Sequence, residues 1–185
     1  MLLLVELISV AFTLLYLYYA SRLKPIAWIL GILASVSAMI LFYQQQLFGS
    51  FYLNLIYVIQ GGIGFFNWKF IQTQHQPRQS LNLKNHVMLV FALFVLTFGL
   101  MKLFTLFNFN EFKTIDVFLA MMCVLATFLE IKKEISTWYY WIIANLLYGC
   151  YYFYEALIVY ALLSLFLSVF SFKALFVWKR KMDVL

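Results

Sequence analysis

The chain has 185 residues, 66% of them hydrophobic, 21% aromatic and only 11% charged, with a net charge of +6. Soluble domains hold roughly 45–50% apolar and about 25% charged residues, and one soluble core of this length cannot hide so much apolar surface. The composition therefore excludes a soluble enzyme or nucleic-acid-binding domain and points to lipid as the solvent.

Apolar stretches of about 20 residues fit a hydrocarbon layer of about 30 Å. They predict seven spans, at 2–20, 26–43, 47–71, 87–107, 115–131, 137–154 and 156–178. The first is not expected to be a cleaved signal peptide, because its cations, Arg22 and Lys24, follow the apolar run instead of preceding it. Short breaks at Ser21–Pro25, Tyr43–Gln46 and Tyr154–Glu155 join neighbouring helices. Gln72–His86 is the one substantial loop.

Charge sets the expected direction. Arg22, Lys24, Lys69, Arg78, Lys84, Lys132, Lys133, Lys179, Arg180 and Lys181 fall on one side, and Lys113 alone falls on the other. Positive loops stay inside, so the N-terminus is expected outside and the C-terminus inside. Lys102 and Lys173 lie within spans near their ends and can snorkel. The cations are spread between spans and not clustered on one surface, so no nucleic-acid partner is expected. Cys123 and Cys150 are read as packing residues.

The expected fold is an all-α membrane protein of two parallel three-helix repeats joined by a linker helix. The units are 1–71 (first bundle), 72–114 (loop and linker helix) and 115–185 (second bundle with a short basic tail). The repeat is legible where Trp28-Ile-Leu-Gly leads to Trp68-Lys69 and Trp141-Ile-Ile-Ala leads to Trp178-Lys179, intervals of 40 and 37 residues. Parallel repeats place their site at the repeat interface.

Two helices carry polar faces. In the sixth span Trp138, Trp141, Asn145, Tyr148 and Tyr152 fall on one helical stripe, and in the third Asn54, Tyr57, Gly61, Gly64 and Trp68 repeat those offsets. A buried amide in hydrocarbon needs a partner, which directs Asn54 and Asn145 inward. Gln60, near the middle of the third span, is a further candidate. Two tryptophans one turn apart can bracket a flat ring, and a cationic ring gains more. An aromatic belt would also put Trp138 and Trp141 near an interface, and an inward Asn can serve only a neighbouring helix.

No HExxH, P-loop or nucleophile–base pair appears, so no catalytic residue, metal or cofactor is expected. His75 and His86 are assigned to the loop, without metal-ligand spacing. The acidic residues Glu6, Glu111, Asp116, Glu130, Glu134, Glu155 and Asp183 lie in loops or near span ends. No carboxylate stands at mid-membrane for an ion relay, which favours a passive facilitator.

The run from Lys133 through Trp138 and Trp141 to Asn145 resembles the K-x-x-x-x-W-x-x-W-x-x-x-N signature of the Pnu vitamin transporters, a family that takes up nicotinamide riboside or thiamine. Asp116 lies where that family begins the preceding helix. The segment from Gln46 through Asn54 and Gly64 to Trp68 is similar to the first-half counterpart, and Trp178-Lys179-Arg180 fits the second-half ending. The resemblance covers about residues 25–70 and 115–181. It departs at Ser136-Thr137, where the family often has Glu-Asn, at Asn54, often Gln, and at Ala174, often Gly.

The resemblance implies a three-plus-one-plus-three architecture, a homotrimer in a bacterial inner membrane, and facilitated diffusion with trapping by a separate cytoplasmic kinase. Carried onto this sequence, Trp138, Trp141 and Asn145 are expected to bind the solute, with Asn54 and Tyr57 approaching from the other half. Nicotinamide riboside is the expected solute. Thiamine is the alternative within the family, riboflavin a weaker third, and a non-transporting membrane scaffold the alternative outside it.

Overall fold

The computed structural model describes residues 2–44, 48–73, 76–107, 113–154 and 158–183. It is all helical: α1 (Leu2–Ser21), α2 (Ile26–Gln44), α3 (Phe48–Phe66), α4 (Leu83–Leu106), α5 (Thr114–Ile131), α6 (Ser136–Tyr154) and α7 (Ile158–Asp183), with a π-helical turn (Asn67–Ile71) extending α3. No strand occurs among the described residues, only a bridge between Arg78 and Glu134.

Five helices (α1, α2, α4, α5 and α7) carry described stretches long and apolar enough to cross a membrane. α6 is as long as α2, but Ser136, Thr137, Asn145 and its run of Trp and Tyr dilute its apolarity. Large side chains such as Leu4, Ile40, Phe91, Phe98, Phe166 and Val169 face outward. In lipid this is the low-energy arrangement.

The linker helix starts earlier than its apolar run. Asn82 caps α4, its side chain accepting from the Asn85 N–H at 2.9 Å, so Leu83 opens the helix. His86 therefore belongs to α4 and not to the loop; His75 lies outside the described residues. The His86 ring packs on Tyr140, its Nδ1 3.1 Å from the hydroxyl, which ties the start of α4 to α6.

α1–α2–α3 and α5–α6–α7 each pack in sequence. α3 against α5 and α1 against α7 join the two triplets, and α4 packs on α5. The internal match is closer than the sequence intervals suggest, and it corrects them. Trp28 corresponds to Trp138, not Trp141, so that each half carries its tryptophans 40 residues apart. Trp28 meets Trp68 at 5.3 Å and 85°, and Trp138 meets Trp178 at 5.3 Å and 89°. Trp68 then meets Trp178 at 6.2 Å, so four indoles from four helices form one cluster.

The same offset relates the helix-ending turns. Leu23 (φ 60°) and Lys133 (φ 58°) take the left-handed conformation that closes α1 and α5. In each turn the residue's N–H bonds three residues back, Leu23 to Ala20 and Lys133 to Glu130, both at 2.9 Å. A non-glycine residue there costs about 1–2 kcal/mol. Burial of the apolar Leu23 side chain offsets the cost in the first turn, and in the second the Lys133 ammonium bonds the Gln72 carbonyl.

The halves are also stitched reciprocally. Trp68 Nε1 donates to Ile131 O at 3.0 Å at the end of α5, and Trp178 Nε1 donates to Ala20 O at 3.3 Å at the end of α1. An indole from the opposite half thus serves the Ile131 carbonyl at the C-terminus of α5, and another adds a second donor to the Ala20 carbonyl, which already accepts from Leu23 N–H.

Candidate functional site

Above the tryptophan cluster, α1, α3, α5 and α6 converge on an interval lined by aromatic and polar side chains. α5 supplies its spine. Glu130, in the last turn of α5, is 1% exposed. Its Oε2 accepts from the Tyr16 hydroxyl at 2.8 Å and from Trp141 Nε1 at 3.1 Å. Its Oε1 is buried without a hydrogen-bond partner among the described residues. Two turns back, the Cys123 thiol and the Tyr57 hydroxyl lie in hydrogen-bonding reach, with Tyr148 beside them. Between these levels, Gln60 Nε2 donates to Val124 O at 3.0 Å, while Gln60 Oε1 is buried with no partner among the described residues. Seven residues of α-helix span about 10 Å, so these contacts extend about that far along α5.

The expected residues separate into two groups. Trp141, Asn145, Tyr148, Tyr57 and Gln60 border this interval. Asn145 is buried and donates its amide to the Trp141 carbonyl at 2.8 Å, one turn back, leaving Oδ1 as its available acceptor. Tyr148 stacks on Tyr152 at 5.4 Å and 19°. Trp138 goes elsewhere: it is fully buried in the tryptophan cluster against Trp178. Trp138 and Trp141 therefore do not bracket a ring between them. Asn54 is half-buried one turn before Tyr57 on α3.

The departures at Ser136 and Thr137 are structural here. The Ser136 hydroxyl accepts from the Leu81 N–H at 2.8 Å and lies 3.1 Å from Ser80 Oγ. Thr137 Oγ1 donates to Ala126 O at 2.7 Å. These bonds dock the segment before α4 onto the start of α6, and hold α6 on α5.

Two residues of the candidate site escaped the sequence reading. Glu130 has the span-end position expected of it, but its environment is the buried interior. Tyr16 gave no signal, being one tyrosine among several near the end of α1. Gly64 explains how α2 approaches so closely: a methyl there would overlap the Trp28 indole, and at Gly61 a Cβ would lie 2.6 Å from Ile32 Cγ1.

The model of the family described as nicotinamide mononucleotide transporter matches residues 3–180. The chain belongs to that family. It is thus a multi-pass membrane transporter and not an enzyme. This nicotinamide mononucleotide transporter family member also shares its fold with a solved structure, the crystal structure of the vitamin B3 transporter PnuC. The TM-score is 0.75 at 19% identity, over 94% of this chain and 81% of that one. No curated protein sequence matches it.

Proposed function

We propose that the protein takes up a vitamin precursor whose flat heteroaromatic ring is cationic, foremost nicotinamide riboside, by facilitated diffusion across a bacterial inner membrane. The observation that carries this reading is the convergence of Trp141, Asn145, Tyr57, Gln60 and Tyr148 between the two halves, an indole face with amide acceptors beside it. Such a surface suits a ring by stacking and cation–π attraction, and ribose hydroxyls by hydrogen bonding. The family's printed name and that of its solved structural neighbour point to the same vitamin. The free riboside is preferred over the mononucleotide because the named lining residues include no cation to receive a phosphate, and Glu130 would repel one.

Passive transport is supported by the absence of a nucleotide-binding motif in the sequence and by the placement of the acidic residues in loops or near span ends. Net uptake then requires trapping, which a cytoplasmic kinase acting on the riboside would supply. The loop charges support N-out, C-in insertion as three plus one plus three helices. A homotrimer, each protomer with its own path, follows from the family resemblance.

Titration of detergent-purified protein with nicotinamide riboside, thiamine and riboflavin, followed by tryptophan fluorescence, tests the reading. Saturable quenching by nicotinamide riboside, lost in a folded Trp141→Ala variant, is expected. Saturation by thiamine alone would move the protein to the thiamine branch. Silence toward all three would favour a scaffold.

A further inference from the structure

We propose that Glu130 reads charge at this site, acting as the buried counter-carboxylate that selects solutes whose ring carries a permanent positive charge. The proposal rests on the interval between the halves being a solute site.

A carboxylate taken out of water is costly unless a cation or a full set of donors compensates it. Glu130 is almost completely buried, yet its contacts are a tyrosine hydroxyl and an indole N–H, both neutral. Lys133, one turn further on, sends its ammonium to the Gln72 carbonyl and over the Trp68 ring. The two neutral donors share Oε2 and fix the carboxylate's orientation. Oε1 stays buried, with no donor among the described residues. That is the arrangement of an anion oriented by the protein and completed by something else.

Trp141 links this carboxylate to the stacking surface. Its N–H is used on Glu130, so the indole cannot also bond a solute edge-on, and its face remains for a ring. A hydrogen bond to an anion also polarises the indole toward a more electron-rich face, which strengthens attraction for a cation. A ring with a quaternary nitrogen lying on Trp141 would meet the indole face and the carboxylate together. A neutral ring of the same shape gains only the stacking, and an anionic solute meets repulsion. A purely architectural Glu130, tying α1 to α5 and α6, would hold the fold without distinguishing solutes by charge.

The test uses the full chain in nanodiscs and calorimetric titration with two compounds of one skeleton. These are nicotinamide riboside, with its cationic pyridinium, and the 1,4-dihydro form, with an uncharged ring. Wild type is expected to bind the cation at least about tenfold more tightly, as a charge-assisted contact implies. Glu130→Gln should shrink that preference by weakening the cation alone, leaving the part that the indole face supplies. Glu130→Asp, which keeps the charge on a shorter stem, should retain part of it. Equal wild-type affinities, or a Glu130→Gln protein that keeps the full wild-type preference for the cation, would overturn the proposal while leaving the solute site standing. Wild type binding neither compound would remove the solute-site reading and this inference with it. If Glu130→Gln fails to fold, the wild-type comparison and Glu130→Asp still decide.

Discussion

At the scale of single residues, the tryptophans divide by what their N–H groups do. Trp68 and Trp178 donate across the repeat interface, whereas Trp28 Nε1 and Trp138 Nε1 are buried without a partner among the described residues. Replacing each with Phe keeps most of the ring packing. Thermal denaturation in detergent should therefore show Trp68→Phe and Trp178→Phe as the more damaging pair, by about 0.5–1.5 kcal/mol each, the net worth of a hydrogen bond. Equal losses at all four positions would mean that packing alone decides. Gly64 makes a second residue-scale case. Gly64→Ala should cost about 1–3 kcal/mol through overpacking against Trp28. Ala174→Gly, at the matching place in the other half, should cost only about 1 kcal/mol of helix propensity plus a lost methyl contact. Glu130 was the residue least legible beforehand. Its burial depends on Tyr16, 114 positions away, and no local spacing encodes that contact.

At the scale of elements, the α5–α6 turn is the junction of the molecule. Lys133 donates to the Gln72 carbonyl beyond α3. Its own carbonyl accepts from the Arg78 N–H at 2.7 Å, and the Arg78 carbonyl accepts from Ile135 N–H at 3.2 Å. Burial, with the Arg78 charge as a smaller cause, lowers the Lys133 ammonium from its ordinary 10.5 to about 8. The folded value is the lower one, so the unfolded chain binds more protons between the two. Stability should accordingly rise as pH goes from about 8 toward 10.5, and the penalty should be fully present below pH 8. Melting temperatures of wild type and Lys133→Met across that range check this: the gain specific to wild type should vanish in the variant, and parallel curves would refute it. The helices themselves were readable from apolar runs. The early start of α4 was not, because Asn82 begins it four residues before the continuous apolar run.

At the scale of the whole molecule, the reciprocal tryptophan stitches close one end of the interval between the halves. Under the proposed positive-inside insertion that end would be cytoplasmic, and passage would require the four-indole cluster to part. A reporter fused after Leu185 should be active only in the cytoplasm; periplasmic activity would invert the insertion and put the cluster on the outer side. Uptake should also depend on an intracellular kinase. Vesicles lacking one should equilibrate labelled nicotinamide riboside without concentrating it, and accumulation there would point to ion coupling.

The sequence alone determined the solvent, the number of helices, the existence of an internal repeat and the helices that carry polar faces. Each of these is written in composition or in short-range spacing, which survive without knowledge of distant contacts. Only the tertiary structure decided the register of the repeat, because Trp138 and Trp141 both fit a loose interval match and ring-on-ring packing chooses between them. It likewise decided that Trp138 joins the closing cluster while Trp141 faces the interval. It alone set Glu130 between Tyr16 and Trp141, since the cost of a buried charge depends on which helices surround it, and that follows from how seven helices pack.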